Sequence, residues 1–597
     1  MAGMPIPKQP TSMVDIYARA SKLLLQEDGL TSWANASLAV DRKLILGNIA
    51  DEEVGYINEP KITSGYFKKS RSIADREERL SPSWTERPGF IHDLEAVVNL
   101  LPDEIHMREF LSPIDLGGAR RMRELGLRTR AYRQYFDAWE TLHLNEDEYT
   151  GELSIRDDAI QYLRHTVDVS HGSKKLVSLI HKYEAFRSFI IKFSRVLFPF
   201  TTPYFADHMS LHAYTKNGGR GIVLTGGDRQ ARMMLTTIYT FRQLGCDLPI
   251  EVMFLGDSDL SEENRLVLET LPNVVTRDLS IMIDDAGWLV KGWAAKPWAI
   301  LMSSFREVIL IDADALFFKN PAMLFDDLDY VETGALFFRD RVILPESKRS
   351  FLQQMLPRPI SKHATESRWW QGSSGHHQES GVVVVDKWKH FVSLLVVCRL
   401  NGSDRDTRDG KTGVYELVYG DKETFWLGFL LAGDETFAFH RGSVGILGPI
   451  DTDTNKDGRT NTTKAEASQS PSPDTGSETP TSAATSSSVA PTSTPDTHRI
   501  CAPQLLHTDT DGSPLWFNGW LLANRFDPLG KQRYAKMDSF LLEPKVVRGE
   551  DSFWKVTHGN ICCLTSTPEL KFDMAESNKK VLDMIIERAK EVRDMEL

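Results

Sequence analysis

The sequence predicts an α/β fold: a mostly parallel mixed sheet flanked by helices, with a mainly helical region on its N-terminal side. Three observations carry this reading. From Gly219 onward, short β-branched apolar runs at residues 221–225, 250–255, 307–311 and 381–386 alternate with amphipathic stretches. Turn residues bound most of these runs, and strands that alternate with helices favour parallel pairing with helices on both faces. Before Gly219, apolar residues instead recur at three-to-four spacing among many charges, which is the helical period.

Taken in order, residues 15–25 and 118–144 read as helices, and residues 64–88 as an exposed connection rich in Lys, Arg, Glu, Ser and Pro. No chemical motif stands out in residues 1–215, which read as a stem or accessory region. The strand at 221–225 runs into the turn Gly226-Gly227-Asp228 and then a helix with Met234, Ile238 and Phe241 on one face. Residues 261–271 read as a helix opened by a Ser261 N-cap, and residues 293–305 as the helix feeding the strand at 307–311. Residues 455–497 hold no aromatic residue, and Val489 is their one large aliphatic side chain. Such a stretch cannot bury enough apolar surface to offset its ordering entropy. It is expected to be a disordered Ser/Thr/Pro-rich insertion, spanning residues 451–499, that interrupts one catalytic domain. That domain would comprise residues 216–450 and 500–597 and end in a charged helix from about residue 575.

The composition narrows the function classes. The 597 residues carry 70 Lys plus Arg against 83 Asp plus Glu, a net charge of −13, so the basic footprint of a nucleic-acid binder is missing. The 41% hydrophobic content supports a buried core. Five cysteines, at 246, 398, 501, 562 and 563, exclude a disulfide-dense scaffold and leave room for one or two bridges. Asn35, Asn401 and Asn461 head glycosylation sequons. Residues 1–10 have no apolar core and are not read as a signal peptide, and no apolar run is long enough to span a bilayer.

The chemistry concentrates in four clusters. Asp312 and Asp314 lie one residue apart where an apolar strand emerges from the sheet. Ligands in open α/β sheets bind at the carboxyl ends of strands, and paired carboxylates there suit a hard divalent cation such as Mg²⁺ or Mn²⁺. Lys296, on the preceding helix, could reach a phosphate at the same mouth. Glu379, Asp421 and Glu423 are carboxylates suited to sugar hydroxyls or to positive charge at an anomeric carbon, unless Asp421 merely caps the helix that follows. His507, after an apolar pair and before a polar-aromatic stretch, is a candidate third metal ligand.

The runs GIVLTGGDRQARMMLTTIYTFRQLGCDLPIEV, EVILIDADALFF, QESGVVVVDK, GDKETFWLG and QLLHTDTDGSPLWFNG together resemble the fungal α-mannosyltransferase family that includes the Golgi terminal α-1,3-mannosyltransferases. The resemblance covers about residues 219–528, less the insertion. It implies a GT-A nucleotide-sugar transferase fold, GDP-mannose as donor, Mn²⁺ dependence and retention of anomeric configuration. It makes Asp312 and Asp314 the metal- and donor-holding pair and His507 the downstream metal ligand. Thr225, Gly226 and Lys296 would contact the donor, and Glu379, Asp421 and Glu423 would line the donor-sugar and acceptor side. It further implies a glycan acceptor, a Golgi setting, membrane association (though this chain shows no anchor) and partnership in a glycosyltransferase complex. The alternatives are a transferase of the same fold using a UDP-sugar, or a non-catalytic subunit of such a complex. A haloacid-dehalogenase-like phosphatase fits less well, because Leu316 stands where it carries Thr or Val.

Overall fold

The apolar runs assemble into a seven-stranded sheet whose strands carry Thr225, Asp312 and Glu379. The computed structural model describes residues 90–146, 153–155, 174–200, 202–285, 287–451, 497–524, 526–528, 532–545, 553–557 and 561–595. The expected helix at 15–25, the connection at 64–88 and all but the borders of the insertion lie outside the described residues. The sheet strands are β1 (Arg220–Thr225), β2 (Ile250–Phe254), β3 (Val274–Asp278), β4 (Glu307–Asp312), β5 (Ala335–Arg339), β6 (Gln378–Asp386) and β7 (Ala438–Phe439). Their order is β7-β5-β6-β4-β1-β2-β3, with β6 antiparallel to both neighbours and every other adjacent pair parallel. This is the mostly parallel mixed sheet expected of the GT-A class.

Alternation along the central strands feeds two cores. Val308, Leu310, Val383 and Val385 face one, and Ile309, Ile311, Val382 and Val384 face the other, all fully buried. Burying each such side chain contributes roughly 1.5–3 kcal/mol, so β4 and β6 are the best-anchored elements of the sheet. Met234, Ile238 and Phe241 of the helix Asp228–Gln243 are buried as their spacing predicts. The helix Glu262–Glu269 does follow Ser261, but that hydroxyl donates to Asp228 at 3.0 Å and caps no backbone N–H. The expected helix at 293–305 is shorter, a 3₁₀ turn Gly292–Ala294 followed by Ala295–Met302.

The N-terminal helices pack into the same core. Tyr132 and Phe136 of the helix Gly118–His143 join Phe186 and Phe193 of the helix Lys174–Leu197, and all four share a cluster with Trp298, Phe391 and Phe425. Arg130 donates to the carbonyls of Leu430 and Leu431, at 2.9 and 3.3 Å, satisfying orphan acceptors at the end of the helix Thr424–Ala432. That contact braces the helix whose leading loop carries Asp421, Lys422 and Glu423.

A six-stranded antiparallel sheet brings the segment after the insertion back to the site. Its strand Pro514–Asn518 pairs with Leu316–Phe317, just past Asp314, with Trp516 opposite Phe317. A disulfide joins Cys501 to Cys563 between two antiparallel strands. Among the described residues no helix is long and apolar enough to cross a membrane.

Candidate functional site

The parallel strands end together, and so do their polar residues. Thr225 and Asp312 are opposite each other in register at the ends of β1 and β4, and Gly226 follows with its N–H donated to the Met253 carbonyl. Asp312 and Asp314 are both half-buried at this edge, and the Asp314 carbonyl accepts the Trp520 N–H at 3.2 Å. The antiparallel β6 delivers its N-terminal residues, Gln378 to Gly381, to the same edge because it runs against its neighbours.

Lys296 is buried at the head of its helix and reaches into the carboxylates. Its ammonium lies 2.7 and 2.8 Å from the two oxygens of Asp312 and 3.5 Å from Asp421 Oδ2, and it donates to the Ser380 carbonyl at 3.3 Å. The sequence placed this lysine on a donor phosphate; the fold places it on two carboxylates. Burial, together with the charges of Asp314 and Asp421, outweighs Lys296 and raises the Asp312 carboxyl to about 7. Negative charge is therefore in excess here.

A second lysine organises the other half of the site. Lys422 donates to Glu379 Oε2 at 2.6 Å and to Asp340 Oδ2 at 3.0 Å. Glu379 Oε1 accepts the Gly381 N–H at 3.0 Å and the Asn518 amide at 3.1 Å. Burial works to raise both carboxyls, but Lys422 overcomes it and holds Glu379 and Asp340 below their ordinary values. Glu379 is thus a fully buried carboxylate kept ionised by its donors. A side chain at Gly381 would meet Asn518, Glu379 and Trp516 at 3.0–3.2 Å, so glycine keeps this corner open for the network.

Asp421 does not cap the following helix; its backbone carbonyl accepts the Thr424 N–H, and its side chain turns toward Lys296. Glu423 is sequestered, with Oε1 accepting the His377 N–H at 2.7 Å and Oε2 the Trp426 Nε1 at 2.6 Å. Burial raises its carboxyl to about 7. Among the described residues, Asp421 Oδ2, Gln378 Nε2 and His507 Nε2 are buried without a hydrogen-bond partner, Asp421 Oδ2 having only its 3.5 Å ion pair with Lys296. Native proteins satisfy most buried polar atoms, so each is a point where a polar ligand can complete the bonding.

His507 is stacked on Trp516, with ring centroids 4.2 Å apart, and lies edge-on to Phe338. Burial lowers its pKa to about 3, so the ring is neutral. Among the described residues no three His, Cys, Asp or Glu side chains are grouped to hold a metal ion, so Asp312, Asp314 and His507 are not brought together as a ligand set. Asp312 and Asp314 alone do fit a hard divalent cation, which one or two carboxylates commonly hold together with substrate phosphates.

Residues 219–509 match the family profile described as "Mannosyltransferase putative". The chain is 25% identical over 348 residues to the α-1,3-mannosyltransferase MNT2 of Saccharomyces cerevisiae, a match covering 52% of this chain and 53% of that one. It is 27% identical over 335 residues to MNT3 of the same yeast, covering 51% and 46%. Residues 219–509 are thus similar to fungal mannosyltransferases. The chain spans about half or less of the length of these relatives. Among solved structures, the Mn/GDP form of core-mannan synthase A (CmsA/Ktr4) of Aspergillus fumigatus aligns with 38% of this chain and 73% of its own, at 12% identity and a TM-score of 0.24.

Sequence reasoning missed Lys422 and Asp340, within residues 219–509, and Asn518, just beyond them. Lys422 sits inside the Gly420-Asp421-Lys422-Glu423 cluster, and a lysine between two carboxylates before a buried helix was the available signal. Asp340 had a weaker one, the second of two charges, Arg339 and Asp340, that follow the apolar run Ala335–Phe338. Asn518 had none, since its partner Glu379 is 139 residues away.

Proposed function

We propose that this chain is a glycosyltransferase that moves mannose from GDP-mannose to a mannose-bearing glycan with retention, forming α-1,3 linkages. The observation that carries the proposal is the fully buried Glu379, held ionised at the carboxyl edge of the sheet within the stretch that matches the mannosyltransferase family. Departure of a nucleoside diphosphate builds positive charge on the sugar, and Glu379, held ionised by Lys422, is the carboxylate to stabilise it. Asp421 Oδ2 accepts no hydrogen bond among the described residues and can take a sugar hydroxyl, while its ion pair with Lys296 fixes its position beside Asp312. Glu423 acts one step back, as a positioning residue that ties the loop to His377 and Trp426. Asp312 and Asp314 would hold a divalent cation, Mn²⁺ in this reading, which when bound neutralises charge on the departing diphosphate. Thr225 and Gly226, at the end of β1 beside Asp312, are placed to line the donor.

The Cys501–Cys563 bridge suits an oxidising compartment, supporting a secretory, Golgi setting for this reading. The test is product analysis. Incubation with GDP-mannose and methyl α-mannoside should yield an α-1,3-linked dimannoside by NMR. A β-linked product, or turnover of UDP-sugars in its place, would overturn the proposal.

A further inference from the structure

A separate cavity of about 720 Å³ opens beside the end of β5, between the short helix Arg368–Gln371 and the strand Val444–Gly448. Arg339, Arg368, Trp370, Gln371, Ser443 and Glu543 are among its lining. Its volume falls in the usual range of small-molecule sites, roughly 300–1,000 Å³.

Arg339 is the unusual member. It is the last residue of β5, directly before the Asp340 that Lys422 engages. Among the described residues its guanidinium makes no hydrogen bond or ion pair, and it lies over the Phe439 ring with Cζ 4.8 Å from the centroid. Burial, and then the neighbouring charge of Arg368, lower its pKa to about 10, which still leaves it charged. The nearby carboxylates do not neutralise it. Glu543 is taken up by the Val342 N–H at 2.9 Å, Trp554 Nε1 at 2.9 Å and Arg368 Nη2 at 3.1 Å. Glu366 is exposed and lies 3.6 Å from Lys362. Lys545 adds further positive charge to the lining.

A desolvated guanidinium without an anion, facing a cavity and next to a second arginine, is an arrangement that an oxyanion would complete. The planar fork of arginine matches phosphate oxygens in pairs, and Gln371 and Ser443 supply polar groups suited to hydroxyls. We infer that this cavity is a binding site for a phosphorylated saccharide, with Arg339 gripping the phosphate. The site adjoins the Lys422 network through Arg368, which donates to the Asp340 carbonyl, but Arg339 takes no part in that network and the inference does not depend on the donor or linkage proposed above.

Calorimetric titration of the full chain tests it, with mannose 6-phosphate, inorganic phosphate and methyl α-mannoside as probes. Mannose 6-phosphate is expected to bind the wild type, at least tenfold more tightly than inorganic phosphate, with methyl α-mannoside inert over the same range. Arg339→Gln is expected to weaken mannose 6-phosphate at least tenfold. This variant is chosen because the Arg339 guanidinium bonds to no other element, whereas Arg368 ties Asp340 and Glu543 together. Equal binding by inorganic phosphate would assign the cavity to free phosphate and overturn the saccharide. Undiminished affinity in Arg339→Gln, or no binding of mannose 6-phosphate by the wild type, would overturn the site itself.

Discussion

Replacing Lys422 with methionine removes the cation that bridges Glu379 at 2.6 Å and Asp340 at 3.0 Å. Both carboxylates are almost wholly buried, at 1% and 2% exposure. Breaking a buried pair by deleting one partner typically costs about 3–5 kcal/mol, since the remaining charge is stranded. The Lys422 side chain keeps 21% exposure, so solvent already screens part of the interaction and the lower end, about 3 kcal/mol, applies. The pH dependence gives the sharper test. In the wild type both folded-state pKa values are depressed, so their stabilisation is present above the ordinary carboxylate range and is lost as pH falls through the folded values. Without Lys422, burial is left to raise Glu379, which escapes the penalty by taking a proton as the pH drops, whereas Asp340 keeps Arg341 at 3.4 Å. The deficit of Lys422→Met should therefore be largest near neutral pH and shrink toward about pH 4.5. Denaturant unfolding at the two pH values reads this directly. Adding Glu379→Gln to the variant should recover part of the loss, because a neutral amide needs no counter-charge. A deficit below about 0.5 kcal/mol, or one independent of pH, would refute the reasoning.

Three further outcomes are expected. Asp314→Ala should abolish GDP release while leaving the melting temperature within a few degrees; full activity would remove Asp314 from the site. Asp421→Asn should lower turnover about 100-fold, the scale of losing one well-placed electrostatic contact, with unchanged circular dichroism. Asn401, despite its sequon, should remain unglycosylated when the protein is produced in a secretory host. It is fully buried and bonds Val397, Thr424 and Tyr415, so glycopeptide mass spectrometry that finds a glycan there would contradict the packing.

What could be read from the chain in advance follows the range of the interactions. The strands β1, β2, β4 and β6 announce themselves because strands buried on both faces of the sheet are continuous apolar runs, and the Asp312/Asp314 pair is legible as the polar break ending one of them. Strands β3 and β5 escaped notice, the first because Val274 alone is buried within Val274–Asp278. The lysine pairings were not legible. A lysine in sequence carries no indication whether it will meet phosphate or carboxylate, and Lys296 meets Asp312 only once a helix has folded back over β4. His507 illustrates the same limit: a polar stretch follows it in sequence, but tertiary pairing stacks its ring on Trp516. The Cys501–Cys563 bridge was likewise one of several pairings that five cysteines allow, and the register of two strands selected it.

The most direct measurement is GDP release by the purified chain with GDP-mannose, with and without Mn²⁺, against UDP-glucose and UDP-galactose. The account predicts GDP release that needs both GDP-mannose and the cation and falls at least 100-fold in Glu379→Gln. Release from the UDP-sugars alone, or activity unaffected by Glu379→Gln, would contradict it.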